Sequence, residues 1–430
     1  MLTHISARGG ARRPAPEPRK EVRTPDFSNL PGYRELVLQR SLGSAFGLED
    51  PFYRLHEGRA GPETLIAGRK FLNFSSYDYL GLNGHPEVAA AAKAAVDTYG
   101  TSPSASRLTA GERPVHRALE QGLAELYGSE ACICMVSGHA TNVTTIGHLV
   151  GAKDLIVYDS MAHNSILVGA KLSGAERRSF PHNDISALDS LLAAARDRYE
   201  NVLIAVEGLY SMDGDFPDLP QLLEVKRRYG AWLLVDDAHA LGVLGKRGYG
   251  LFEHFNVDPR EIDVWMGTLS KTLSACGGYI AGSAQLIDYL KFIAGGFVYS
   301  VGMSPVLAAA AVASLSLMRR EPERVARLQA NGSHFVAEAQ KRGLNTGMSG
   351  GFSVVPIIVG DSLRTVTLAQ KIYDRGVFAL PIIPPGVPDR SARLRFFITS
   401  EHSKEQIERA VAITAEESAA LSNSRAAAPV

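Results

Sequence analysis

Lys271 stands in the run Gly267-Thr268-Leu269-Ser270-Lys271-Thr272, directly after the apolar stretch Val264–Gly267. A lysine that ends a buried strand and enters a loop is placed to attack a carbonyl as an amine nucleophile and hold it as a Schiff base. The hydroxyls of Thr268 and Ser270 beside it suit a phosphate. Taken alone, Ser-Lys-Thr more commonly marks an exposed loop lysine.

The surroundings narrow the choice. Upstream, Leu233-Leu234-Val235-Asp236-Asp237-Ala238-His239 ends a second apolar run in a carboxylate, with His239 just beyond it. A pyridine nitrogen keeps its proton, and with it the ring's capacity to absorb electrons, when a carboxylate sits beside it. Asp236 is placed for that role, and His239 for the phenolic oxygen of such a ring; a cap on the following loop is the plainer role for Asp236. The segment Asp159-Ser160-Met161-Ala162-His163 follows the apolar run Leu155–Tyr158, which puts His163 past another strand end, where its ring can stack on a planar ligand. Ser137-Gly138-His139-Ala140-Thr141-Asn142 follows the run Ala131–Val136 and opens a helix, whose first N–H groups bind phosphate while Gly138 permits close approach.

These segments need a scaffold that brings strand ends together. Short apolar runs at Ala131–Val136, Leu155–Tyr158, Val202–Val206, Trp232–Val235, Val264–Gly267 and Tyr279–Ala281 alternate with helical stretches such as Ile185–Tyr199 and Leu219–Tyr229. Strands apolar on both faces between amphipathic helices predict a mainly parallel α/β sheet covered on both sides, with ligands at its carboxyl edge. Pro86 and Pro114 open helices. After Pro305 helices near 305 and over Pro322–Arg342 lead into strands near Ser353–Val359 and Leu394–Ile398 and helices near Thr365–Arg375 and Lys404–Ala420, the pattern of a smaller α+β domain. The expected organisation is a leader over 1–25, an arm over 26–84, a large domain over 85–310, a small domain over 311–420 and a tail over 421–430.

The chain has 430 residues, 45 basic and 45 acidic side chains and 45% apolar content, which is ordinary globular composition. Zero formal charge gives no field to recruit nucleic acid or an acidic membrane, and the apolar runs are too short to span a bilayer as helices. Cys132, Cys134 and Cys276 lack the spacing of a metal site or a disulfide framework; Cys132 and Cys134, in the run Ala131–Val136, read as small core residues, the compartment as reducing and cytoplasmic, and no metal is expected. The leader is basic, with Arg8, Arg12, Arg13, Arg19, Lys20 and Arg23 against Glu17 and Glu21. Disorder or a linker from a larger assembly fits it, and its prolines disfavour the amphipathic helix of a transit peptide.

The order of these motifs, together with Ser211-Met212-Asp213-Gly214, Asn73–Leu82 and Arg393–His402, resembles the α-oxoamine synthases from about residue 30 to 415. These are fold-type I pyridoxal-phosphate enzymes that include serine palmitoyltransferase, aminooxononanoate synthase, glycine C-acetyltransferase and 5-aminolevulinate synthase. The resemblance implies that Lys271 carries the cofactor, Asp236 faces its pyridinium and His239 its phenolic oxygen, with Ser211 near that oxygen. It makes His163 the stacking ring. Gly138, His139 and Thr268 become the phosphate side, although most relatives carry Phe or Tyr where this chain has His139. Ser300, in Tyr299-Ser300-Val301, becomes a hydroxyl offered to the phosphate by a second subunit, which implies a homodimer with a shared active site. Arg395 becomes the grip on the substrate carboxylate.

The implied reaction joins an amino acid to an acyl thioester, on coenzyme A or an acyl carrier protein, giving an α-amino ketone, carbon dioxide and free thiol, with the released Lys271 as base. Tyr77, where aminolevulinate and aminooxononanoate synthases have Asn, tilts toward a long or bulky acyl group. Pro103 and Ala105 stiffen the segment before Arg107 and leave the choice of amino acid open. The sequence shows no basic cluster for a coenzyme A nucleotide. A fold-type I aminotransferase would use the same Lys271 and Asp236, but the Asp-x-x-His and Ser-Met-Asp-Gly motifs favour the condensing branch. A non-catalytic partner subunit would lack Lys271, and a cysteine desulfurase would need a cysteine on a mobile loop.

Overall fold

The computed structural model describes residues 24–426, so most of the expected leader and the last residues of the expected tail lie outside the described residues. The chain divides at Asp50 into two units. In the first, Asp26 caps a short 3-10 helix, Phe27–Asn29, by accepting from the Ser28 amide at 2.9 Å. The helix Pro31–Ala45 follows, with proline at its first position, where no amide donor is needed. Arg40 pairs with Asp50 at 3.2 Å.

From Pro51 onward the centre is a seven-stranded sheet in the order Ala131–Met135, Gly278–Gly282, Val264–Thr268, Trp232–Asp236, Val202–Glu207, Leu155–Asp159, Glu176–Phe180. Gly278–Gly282 runs antiparallel to both neighbours, and the pairs from Val264–Thr268 out to Glu176–Phe180 are parallel. Side chains alternate between two cores, as the pleat demands. Cys132, Cys134, Leu155, Val157, Ile204, Val206, Leu233, Val235 and Trp265 fill one. Ile133, Met135, Ile156, Leu203, Ala205, Leu234, Val264 and Met266 fill the other. A sheet buried on both faces is what the unbroken apolar runs predict.

Cys132 and Cys134 are buried in the core as the run Ala131–Val136 predicts, and Cys276 is exposed in the loop that leaves the sheet before Gly278 resumes it. Two elements depart from the sequence reading, the strand Glu176–Phe180 and the end of the last helix. The strand Glu176–Phe180 carries no apolar run and so escapes a reading based on such runs; it is the sheet's edge, where charged residues such as Glu176 and Arg178 discourage further pairing. The terminal helix, Lys404–Ala426, also extends past residue 420, since its Ala-, Ser- and Glu-rich sequence contains no breaker there.

Two small sheets complete this unit. Val354–Gly360, Ala392–Phe397 and Leu380–Ile382 form an antiparallel one, and Glu63–Ile66, Arg69–Asn73 and Val377–Phe378 a mixed one. They bring distant chain segments together. The Phe74 amide donates to the Phe378 carbonyl at 2.9 Å and the Phe397 amide to the Phe74 carbonyl at 2.8 Å. The segment after Asn73, with Tyr77 and Tyr79, is thereby laid beside the strand that carries Arg393, Arg395 and Phe397.

Candidate active site

Parallel strands end on one edge, and the chemistry-bearing residues gather there. Asp236 is the last residue of Trp232–Asp236 and is buried. Its Oδ2 accepts from Asn142 Nδ2 at 2.7 Å and its Oδ1 from the Ala238 amide at 3.0 Å. It therefore both caps the local turn and keeps a donor-stabilised carboxylate in the pocket. Asp237, the next residue, points elsewhere: its carboxyl takes the Tyr127 hydroxyl at 3.4 Å, and burial raises its pKa to about 8. The division of labour between the two aspartates follows from strand alternation.

Lys271 lies in the turn after Val264–Thr268, with its Nζ 5.8 Å from the centroid of the Tyr77 ring. Burial pulls its pKa down to about 8, while Asp236 and Glu207 oppose that shift. An amine so placed has a substantial nucleophilic fraction near neutral pH. His239 is buried with its Nδ1 2.7 Å from the Tyr79 hydroxyl, and its ring lies nearly parallel to Phe397 at 6.2 Å. Burial first, and Lys271 second, hold it neutral, with its pKa well below the usual value.

His163 caps the helix Asn164–Ser173 through its Nδ1, which receives the Ser165 amide at 3.3 Å and sits 2.7 Å from the Ser165 hydroxyl. His139 crosses it edge to face at 6.1 Å and reaches Asn164 at 3.3 Å. Gly138 begins the helix Gly138–Leu149, which Ser137 caps. A Cβ on Gly138 would stand 2.7 Å from Thr268 Oγ1, so only glycine lets this helix start pack against the threonine. Thr268 Oγ1 is 2.8 Å from Ser270 Oγ. A helix N-terminus facing paired hydroxyls is a phosphate cradle.

The small-sheet strand supplies the other wall. Arg393 and Arg395 lie two apart on Ala392–Phe397 and hold the Ser211–Gly214 turn. Arg393 Nη1 bonds Asp213 at 2.6 Å, and Arg395 Nη1 donates to the Ser211 carbonyl at 3.1 Å. Arg395 Nε is buried without a partner, as are Asn142 Oδ1 and Glu207 Oε1. Unsatisfied buried polar atoms around one pocket are the mark of a site built for a polar ligand. The donors, the carboxylate and the amine present here fit pyridoxal phosphate.

The structure thus gathers Lys271, Asp236, His239, His163, Gly138, His139, Thr268, Ser211, Tyr77 and Arg395 around one cleft. Ser300 is not among them: it follows the short helix Gly295–Val298 and lies beside Arg107, Met135 and Phe297. Tyr79, Ser165, Asn142 and Glu207 belong to the site without having been assigned roles from sequence. Asn142 and Tyr79 fall inside the motifs Ser137–Asn142 and Asn73–Leu82, so the sequence carries a signal for both. Glu207 ends Val202–Glu207, in register with Asp236, and accepts from the Ser211 amide at 3.3 Å. Burial and the nearby Asp236 push its pKa well up.

A cavity of about 560 Å³ opens from Lys271, Ser274 and Tyr77 past Phe378 to Arg54, His56 and Arg59. These basic side chains are scattered through a stretch that shows no cluster in the sequence. Arg59 is fixed through Nη1 to the Gly84 carbonyl at 2.9 Å, and the Arg54 guanidinium stacks 3.6 Å from the Tyr373 ring centroid.

Residues 69–413 match the family model for class I and II aminotransferases. An 8-amino-7-oxononanoate synthase of Beijerinckia indica is 42% identical over 342 residues, 80% of this chain and 86% of that one. The 4-hydroxy-2,2'-bipyrrole-5-methanol synthase PigH of a Serratia species is 40% identical over 345 residues, 80% of this chain and 52% of PigH, so the chain spans about half of that relative. Among solved structures, the serine palmitoyltransferase of Sphingomonas wittichii superposes with a TM-score of 0.88 at 29% identity, covering 93% of this chain and all of that one.

Proposed function

The chain belongs to the class I and II aminotransferase family and, within it, to the α-oxoamine synthases, fold-type I enzymes that use pyridoxal phosphate to condense an amino acid with an acyl thioester and release carbon dioxide; from that premise we propose a role for each side chain of the cleft and a class of acyl donor. Pyridoxal phosphate, when bound, supplies an electron sink for the α-carbon of the amino acid. Lys271 holds it covalently, and the helix start at Gly138–His139 with Thr268 holds its phosphate. Asp236 would be the partner of the ring nitrogen, and His239, neutral and fixed by Tyr79, that of the phenolic oxygen, with Ser211 close by.

Arg395 receives the substrate carboxylate. Its unpartnered Nε and a guanidinium held 4.5 Å over the Phe397 ring give a fork already oriented for a planar anion. Lys271 Nζ would take the α-proton of the amino acid; burial lowers its pKa to about 8, which leaves the free amine able to accept one at neutral pH. His163 would cover the face of the cofactor ring. No helix among the described residues is long and apolar enough to cross a membrane.

The donor is larger than acetyl and arrives on a phosphopantetheine arm. The observation that carries this is the cavity of about 560 Å³ behind Lys271, the size of a site for a whole small molecule, with Tyr77 at its inner end and Arg54, His56 and Arg59 at its outer one. Guanidinium groups there suit the arm's phosphate. The similarity to a relative named for making a bipyrrole supports a bulky acyl group. A second copy of the chain completes the site through Ser300, a reading supported by the exposure of its neighbours Tyr299 (89%) and Val301 (51%). Free Cys132 and Cys134 accord with a reducing, cytoplasmic setting. The large and small domains join near 310, within the helix Pro305–Arg320 that follows the last strand of the central sheet, Gly278–Gly282.

The test of the donor compares kcat/KM for acetyl, medium and long acyl groups, each on coenzyme A and on a carrier protein. A hydrophobic pocket discriminates by roughly 1–3 kcal/mol per methylene at most, so kcat/KM is expected to climb stepwise with chain length. A preference for acetyl-coenzyme A over every longer or carrier-bound donor would overturn this assignment.

A further inference from the structure

A chain of hydrogen bonds runs from Asp236 to His163, and its polarity is fixed at every link. Asn142 is fully buried, and its Nδ2 lies 2.7 Å from Asp236 Oδ2 and 2.9 Å from Ser165 Oγ. Only an amide NH2 group, with two hydrogens, serves both contacts: turned the other way, its oxygen would face the carboxylate. Ser165 Oγ therefore accepts from Asn142, and its own hydrogen is left for the ring nitrogen 2.7 Å away, His163 Nδ1. The backbone gives the same answer independently. The Ser165 amide, which can only donate, also points at His163 Nδ1, at 3.3 Å. A nitrogen that meets two donors presents a lone pair, so the proton of a neutral imidazole resides on Nε2. His163 further sits at the N-cap of Asn164–Ser173, the positive end of a helix, which opposes an imidazolium.

We propose that Asn142 and Ser165 are positioning residues that use the charge of Asp236 to set His163 as the neutral tautomer carrying its proton on Nε2, so that the ring covering the cofactor offers a hydrogen-bond donor, and no base, to the reacting substrate. The inference rests on the placement of His163 over the cofactor proposed above, but the tautomer itself is a property of the protein alone. The charged or titratable groups around His163 include Asp236, Lys271, His139, Arg395, His239 and Glu207. Asn142 Oδ1 is left without a donor by this arrangement, as its lack of any partner shows.

The experiment is nitrogen NMR of the holoenzyme labelled with 15N-histidine, with the His163→Gln protein identifying the resonance. The expected wild-type spectrum shows an unprotonated Nδ1 and a protonated Nε2 across the neutral pH range. In Ser165→Ala one donor to Nδ1 is lost, so the resonance should become a mixture of tautomers and titrate at higher pH. In that variant kcat should fall by roughly ten- to a hundredfold, the range seen when the outer hydrogen-bond partners of metal-ligating histidines are removed, while the bound cofactor's absorbance is unchanged. Ser165→Thr, which keeps the hydroxyl, should restore the wild-type tautomer. A proton on Nδ1 in the wild type overturns the proposal whatever the variants do. So does a Ser165→Ala spectrum identical to the wild type. Failure of the Lys271 assignment would show instead as loss of the cofactor's covalent linkage with the His163 tautomer unchanged.

Discussion

The Tyr79 hydroxyl and His239 Nδ1 lie 2.7 Å apart although 160 residues separate them, and both side chains are buried. The contact joins the segment after Asn73 to the end of the strand that carries Asp236. It gives the buried imidazole a fixed orientation and a partner that solvent cannot replace.

Tyr79→Phe keeps the ring and removes only that partner. Leaving a buried imidazole nitrogen unsatisfied costs about 1–3 kcal/mol. The midpoint of denaturant unfolding should fall accordingly at an unchanged slope. A variant as stable as the parent would show that His239 does not depend on Tyr79.

Asp236→Asn removes the charge while preserving shape. Exchange of the α-proton of a bound amino acid with deuterated solvent should fall by orders of magnitude, with cofactor still bound, because the ring nitrogen loses the anion that keeps it protonated. Near-normal exchange in this variant would remove Asp236 from the role given to it.

His182 bridges two carboxylates, with Nδ1 2.8 Å from Asp159 and Nε2 3.0 Å from Asp215. Despite the opposing effect of burial, the two carboxylates push its pKa up to about 10. A folded-state pKa raised above the unfolded value near 6.5 stabilises the fold fully below pH 6.5, and that stabilisation fades as pH rises through about 10. The thermal midpoint of the wild type should therefore drop between pH 7 and 10 more than that of His182→Asn. Parallel curves for the two proteins would mean that His182 is not charged in the fold.

Lys271, Asp236, His239 and His163 were legible because each follows an unbroken apolar run, and such runs end at the carboxyl edge of a parallel sheet. Tyr79, Ser165, Asn142 and Glu207 acquire their roles only through apposition. Asn142 meets Asp236 across 94 residues of chain, and Glu207 meets Asp236 through strand register. No local pattern encodes either contact. The basic lining of the cavity was missed for the same reason: Arg54 and Arg59 converge on it only in the fold. The edge strand Glu176–Phe180 escaped because the charges that blunt an edge also erase the apolar signal of a strand. Arg393 stands within the motif Arg393–His402, but its bond to Asp213, which secures the turn bearing Ser211, spans 180 residues and has no local signal.

The central claim is that this cleft is organised around Lys271. Purified holoenzyme should be reduced with borohydride, digested, and its peptides mapped by mass spectrometry. The cofactor's mass should appear on the peptide containing Lys271, and the Lys271→Ala protein should show no reducible linkage and no condensation product. A reduced adduct on another lysine, or one formed by Lys271→Ala, would contradict the account.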